Sequence, residues 1–429
     1  MTIVCIIIFL VLSIWQINIL TKDKHIIRSP YREGELMICN SEEMFMIVLF
    51  ATAFIGLTPV LSIRLAFLEL LIVYVLFRSS NRPIISWPII IFFIFLTWIV
   101  VGLFYTPNVM FGFRMIFKYI YPLLVCMLAS TVVRDPAVFL QSGLMTRKVA
   151  TIGIVLLFIP IISRFFGMIL WYSAAYITGI ISLIVFSVAM AEFSNEKKKN
   201  FIWGLILCGF CLLATYRTDI FGTCVAIATY FLIKYRIKAV PFILAIGAAG
   251  LLMMFYIPSV KEKMFIDPDK ASIEDYARLE IDQDNVQTNY RAFMWEEATD
   301  MFYDGHELMG SGTGRVQTFF YTEATDSRRG GQLHNDFLVI KCDNGDIGFW
   351  LFIASYIAIL LHCMHLYKRS PSNIVRMAAI IAGASLMGVC VTMYSDNTLS
   401  YSMVTLSFPW GFYGMTLGLN KAFKDEQRG

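Results

Sequence analysis

The chain has 429 residues, of which 58% are hydrophobic and 15% charged, with a mean hydropathy of +0.68 and a formal net charge of +4. A soluble domain of this size has no interior able to hide so much apolar surface, which leaves a polytopic α-helical membrane protein. No repeat of fixed period, low-complexity tail or nucleic-acid motif is present, so no nucleic-acid partner is expected.

Apolar stretches long enough to cross a bilayer are read, in chain order, at 2–20, 44–59, 61–77, 84–104, 115–133, 149–168, 171–193, 200–215, 219–233, 239–257, 346–366, 374–393 and 399–418. The first lacks a basic leader and a small-residue cleavage site, so it is expected to be retained. Only "LTPVLS" separates the second from the third. The fold class expected is all-α: a polytopic transmembrane helical bundle of about 12–13 spans with one large, mostly helical periplasmic loop. The chain then divides into a bundle over 1–257, an extracytoplasmic loop over 258–345, and further spans with a cytoplasmic tail over 346–429. Seven of the nine cysteines fall in the spans, and the Cys208–Cys211 pair has no polar neighbours, so neither a disulfide framework nor a metal is expected.

Basic residues set the orientation. Alternate connections hold 21 of the 35 lysines and arginines, including Lys22 to Arg32, Arg134 with Arg147 and Lys148, Lys197 to Lys199, and Lys234 to Lys238. The opposite connections and adjoining span ends hold Arg64, Arg114, Lys118, Arg164 and Arg217. The amino terminus is therefore expected outside, the carboxyl terminus in the cytoplasm, and 258–345 outside. That segment carries nine basic and seventeen acidic residues. Within it, "NYRAFMWEEATDMF" spaces Phe293, Met294, Ala298, Met301 and Phe302 as an amphipathic helix, "GSGTGR" breaks it, and a second helix starts near His334.

Chemistry-bearing residues are few on that side. His334 follows "RRGG" and precedes an apolar run, and its imidazole is able to accept a proton near neutral pH. Arg217, in "LLATYRTDIFGTCVAI", stands at a tight outer turn between two spans. It either snorkels to lipid phosphates or presents a guanidinium fork to a pyrophosphate at the membrane surface. Arg291 is either a solvated helix residue or a third contributor. Arg315, Arg328 and Arg329 are solvated loop charges or second-tier contacts to glycan or phosphate. Trp295, Phe319, Phe320 and Tyr321 read as interface anchors or as sugar-stacking faces. Arg64, Arg114, Lys118 and Arg164 read as snorkelling residues.

Three of these segments resemble, in order, motifs of the O-antigen ligase and polymerase superfamily. "ATYRTDIFGTCVAI" is similar to its S-R-G-hydrophobic segment, "NYRAFMWEEATDMF" with "MGSGTG" to its R-x-x-x-W-x-x-A helix and P-x-x-G-x-G turn, and "HNDFLVIKCDNGDIGFW" to its H-N-x-x-L, acid, G-x-x-G segment. The resemblance covers about 215–350. Asp343 replaces the usual glutamate, "TD" replaces the glycine after Arg217, and Met309 replaces a common proline. These departures bear on the acid, which caps a helix or orients a partner, more than on the arginines or the histidine.

The resemblance implies a membrane-embedded glycosyltransferase of the C type in the bacterial inner membrane. It needs no metal or other cofactor, and its donor is an undecaprenyl-pyrophosphate-linked oligosaccharide. Arg217 and Arg291 would bind the pyrophosphate and neutralise its departing charge, and His334 would deprotonate or orient the acceptor hydroxyl, with inversion at the anomeric carbon. A repeat-unit polymerase making O-antigen, capsule or exopolysaccharide is preferred, because such proteins diverge widely. The alternatives are an O-antigen ligase acting on lipid A–core, a lipid-linked oligosaccharide flippase or transporter, and a non-catalytic assembly scaffold. Expected partners are the donor, a glycan acceptor and membrane lipid, with room for a chain-length regulator.

Overall fold

A computed structural model describes residues 2–31, 34–159, 173–214, 216–274, 278, 285, 287, 291–323 and 332–428. Helix α1 (Thr2–Thr21) leads into an antiparallel hairpin of β1 (Lys24–Arg28) and β2 (Leu36–Asn40), with Lys24 opposite Asn40 and Ile26 opposite Ile38. The sequence reading placed no element there. Its signal is a short alternation that covers His25, Ile27, Met37 and Cys39 on one face.

Asn40 then caps α2 (Ser41–Thr52). Its side chain accepts from the Glu43 N–H at 2.8 Å, and Glu43 accepts from the Asn40 N–H at 2.9 Å. At twelve residues α2 is about 18 Å long, well short of a bilayer core, and it is buried on nearly every side. The expected span at 44–59 is thus an enclosed short helix. Its C-terminal carbonyl at Thr52 accepts from Arg64 at 2.8 Å, and Arg64 is 2% exposed. This arginine caps a helix inside the bundle instead of snorkelling.

The bundle continues with α3 (Leu61–Arg78), α4 (Trp87–Val101), α5 (Val109–Val132), α6 (Pro136–Phe158), α7 (Ser173–Phe193), α8 (Lys197–Ala214), α9 (Arg217–Tyr235) and α10 (Val240–Tyr256). The polar segment that follows holds α11 (Pro258–Met264), α12 (Arg291–Phe302) and the single turn α13 (Arg315–Thr318). Helices α14 (Asp336–Arg369), α15 (Asn373–Thr392) and α16 (Ser407–Glu426) complete the chain. Every expected span overlaps a helix. Among the described residues, eight helical segments are long and apolar enough to cross a membrane, and the protein is a multi-pass helical membrane protein.

Helix α6 begins well before the expected 149–168. Asp135 caps it through the Ala137 N–H at 2.7 Å, with Pro136 in the first turn. Arg147, expected in a cytoplasmic connection, therefore lies within a helix. It donates to Ser187 Oγ and Asn200 Oδ1 at 3.2 and 3.0 Å.

Two helix pairs organise the bundle: α5 with α16, and α9 with α15. The second pair approaches closely because Gly222 and Gly388 face one another. A Cβ on Gly388 would stand 2.8 Å from the Gly222 carbonyl oxygen. That crossing brings the start of α9 beside the end of α15, and there the candidate site forms.

Candidate active site

Three helices begin around the loop that follows α15, residues 394–397 ("YSDN"). Arg217 is the first residue of α9, Arg291 is the first of α12, and His334 stands two residues before α14. A helix start presents unpaired N–H groups and the positive end of the backbone dipole, so three together favour an anion.

Each segment is tied to the loop. Thr218 and Ser395 share a hydroxyl–hydroxyl hydrogen bond of 2.7 Å, and a guanidinium nitrogen of Arg291 donates to the Ser395 carbonyl. The His334 N–H donates to Asn397 Oδ1 at 3.0 Å. Asp336 donates its N–H to the Met393 carbonyl at 2.8 Å and accepts the Leu399 N–H at 2.8 Å. Asn335 caps α14 through the Leu338 N–H at 3.0 Å. The helix expected near His334 is therefore present, one residue beyond its cap.

Arg217 points both Nη atoms at the Gln287 carbonyl, each at 3.3 Å, with Met264 Sδ at 3.6 Å. The "TD" that replaces a glycine in the family pattern has local work. Thr218 reaches the loop, and Asp219 is buried and accepts from Thr178 Oγ1 at 2.6 Å. Arg217 and Arg291 are thus half-buried cations held by neutral carbonyl oxygens.

His334 adopts φ +54°, uncommon for a residue with a side chain, and the Asn397 contact fixes it there. Asn397 Nδ2 lies 2.8 Å from His334 Nδ1. An amide nitrogen only donates, and Asn397 Oδ1 is already engaged by the His334 N–H, so Nδ1 accepts and the neutral ring carries its proton on Nε2. Asp396 Oδ1 stands 3.6 Å from the same Nδ1 and becomes the ring's partner when Nδ1 carries a proton. Trp295 closes one side. Its Nε1–H donates to the Leu333 carbonyl at 2.9 Å, and its ring packs edge-on against Tyr394, 5.5 Å between centroids.

Asp343 lies elsewhere, in a second junction. Its carboxylate accepts the N–H groups of Gly314 at 2.8 Å and Val316 at 3.0 Å, capping α13. Thr313 Oγ1 lies 2.9 Å from Asn344 Oδ1, and Trp98 Nε1 donates to the Asn344 carbonyl at 2.8 Å. Gly310 (φ +80°) and Gly345 (φ +65°) let two backbones touch. A Cβ on Gly310 would fall 2.4 Å from the Asn344 nitrogen. Gly345 also kinks α14 where the external part of the helix meets the span.

Of the remaining candidates, Arg315 covers the Phe302 ring at 5.2 Å, and Phe319 and Phe320 are core residues. Tyr321 is exposed. Arg164, Arg328 and Arg329 lie outside the described residues. The amphipathic helix buries Met294, Ala298 and Phe302, leaving Phe293 and Met301 exposed. Sequence reading missed the partner loop: "YSDN" passed for a link between spans, although three consecutive polar residues between apolar runs were its available signal.

No curated protein matches the chain. Residues 203–353 match a family model described as O-antigen ligase, a stretch that carries Arg217, Arg291, His334 and Asp343 and ends before the 394–397 loop. Its members are glycosyltransferase-like ligases and polymerases acting on lipid-linked glycans in a membrane. Over residues 203–353, about a third of its length, the chain is thus similar to the O-antigen ligase/polymerase superfamily.

Proposed function

We propose that this protein is an oligosaccharide repeat-unit polymerase that joins undecaprenyl-pyrophosphate-linked units on the outer face of the bacterial inner membrane, with its amino terminus outside and its carboxyl terminus in the cytoplasm. The observation that carries the reading is that three helix starts meet at residues 395–397, which bond Thr218 beside Arg217, Arg291 and His334. Two guanidinium forks beside oriented N–H groups suit the four charged oxygens of a lipid pyrophosphate.

In the proposed step, the acceptor hydroxyl oxygen attacks the anomeric carbon of the donor from the side opposite the phosphate. The carbon–oxygen bond to phosphate breaks, and its electron pair leaves on the pyrophosphate, where Arg217 and Arg291 stabilise it. Inversion follows from the geometry of attack. The hydroxyl proton passes to His334 Nε2 once the ring proton occupies Nδ1 against Asp396; with the proton on Nε2, the ring orients the hydroxyl's neighbours as a donor.

The family's description as O-antigen ligase favours a second reading, in which the same donor chemistry delivers finished glycan to lipid A–core. Replacement of His334 by alanine in the native host separates the readings. Single units on the lipid carrier with long chains lost support the polymerase, and finished polymer retained on undecaprenyl pyrophosphate supports the ligase. Units trapped at the cytoplasmic side point to a transporter. An unchanged glycan profile removes His334 from catalysis.

A further inference from the structure

Glycosyl transfer between two lipid-linked glycans brings two anionic headgroups to one protein, and the arginine pair accounts for one. A cavity of about 320 Å³ is lined by the starts of α3 and α5. Gln332, two residues before His334, forms part of its wall, and so does Ser400, three residues beyond Asn397. The cavity and the candidate site thus share the two segments that hold the histidine.

Its polarity is specific. Arg114 and Lys118, four residues apart on one face of α5, both point into it. The Arg114 guanidinium lies 5.0 Å from the centre of the Phe111 ring, which stacks on Tyr321 at 6.0 Å. Lys118 Nζ donates to Ser400 Oγ at 3.4 Å, and the charge of the buried Asp336 acts on it. Arg114 pairs with no carboxylate among the described residues. The Tyr321 hydroxyl accepts from Gln332 Nε2 at 2.5 Å, so aromatic faces, an amide and a hydroxyl border two cations, Lys118 half-buried and Arg114 exposed at the mouth.

Position argues for a lipid-borne ligand. Phe117 and Leu65 line the cavity toward the span, and Ile63, Phe113 and Leu70 continue an exposed apolar flank along α3 and α5. A phosphate seated on Arg114 and Lys118 would send a prenyl or acyl chain down that flank. Its sugar would lie toward Gln332 and His334.

We propose that this cavity is a second phosphate subsite, which holds the headgroup of the lipid-linked acceptor while the arginine pair holds the donor. This rests on the glycosyl-transfer reading above. The acceptor's phosphate is recognised by Arg114 and Lys118, its proximal sugar by Tyr321 and Gln332.

The test is binding stoichiometry of farnesyl pyrophosphate on the purified full-length chain in nanodiscs, read by native mass spectrometry. Wild type is expected to bind two equivalents, and Arg114→Gln with Lys118→Gln to bind one. Because loss of Lys118 uncovers Asp336, Arg114→Gln alone serves as the second variant, weakening one site about tenfold with the fold intact. Two undiminished equivalents in both variants overturn the proposal. So does a single wild-type equivalent that Arg217→Gln with Arg291→Gln abolishes, an outcome that leaves the proposed function standing. If instead the Arg114/Lys118 variant loses one equivalent and the Arg217/Arg291 variant loses none, the second subsite stands and the donor assignment fails. Equal competition by farnesol, which lacks the phosphates, overturns recognition of the headgroup, as does displacement by free glucuronic acid without effect from inorganic pyrophosphate.

Discussion

The segment between α10 and α14 makes two junctions with the helical bundle that are built in opposite ways. Around Asp343 the contacts are buried, and the carboxylate is saturated by N–H groups of the Gly314–Val316 turn, with two glycines removing every side chain that would hold the backbones apart. Around residues 394–397 the contacts are hydrogen bonds from side chains that are mostly half-buried, and the two arginines rest on carbonyl oxygens, with no ion pair to either among the described residues. A junction with its polar groups satisfied resists rearrangement; one that leaves cations under-neutralised is available to a ligand. Motif residues from one pattern therefore form an anchor in one place and, on the proposed function, the reacting groups in the other.

The contrast is broken most directly at the arginines. Arg217→Lys keeps the charge but loses the planar fork, and turnover in a lipid-linked glycan assay is expected to fall by about 10²- to 10³-fold with the melting temperature nearly unchanged. Near-normal turnover would remove Arg217 from the pyrophosphate. The anchor should respond the other way. Asp343→Ala leaves two buried N–H groups without an acceptor, at about 1–3 kcal/mol each, seen as a lowered melting temperature of the detergent-solubilised protein. Asp343→Glu restores the residue usual in the family, yet it should also destabilise, by about 1–3 kcal/mol, because Gly310 already packs against this backbone. A more stable glutamate variant would contradict the tight contact.

Smaller effects sharpen the histidine's part. Asp396→Asn is expected to lower turnover by roughly 10²-fold without changing donor affinity if the ring takes a proton at Nε2. Unchanged turnover would restrict His334 to orienting the substrate. Thr218→Ala severs one link to Ser395, and its loss of about 1 kcal/mol should appear as roughly fivefold slower turnover.

Much of this architecture was legible before any coordinates. Span-length apolar runs placed the helices, the spacing of Met294, Ala298 and Phe302 marked α12, and the "HND" segment foretold the start of α14. What the sequence did not disclose has physical reasons. Helix α2 is as apolar as a span, and its shortness emerges only from its cap at Asn40 and its end at Thr52. Arg64 and Arg147 look like surface charges until their carbonyl, hydroxyl and amide partners, distant in sequence, are in place. The Ser395–Asn397 loop gains its meaning from the crossing of α9 and α15, and a long-range contact of that kind leaves no local pattern.

The carbonyl oxygens of Gln287 and Ser395 hold the Arg217 and Arg291 guanidinium groups in set orientations. On the proposed function they are placeholders: a neutral dipole holds each fork in readiness, and a doubly charged headgroup would outcompete it without the side chain having to search for its rotamer. On the proposed function, the same oxygens would take the forks back when the pyrophosphate leaves, so the site would reset by local exchange of partners.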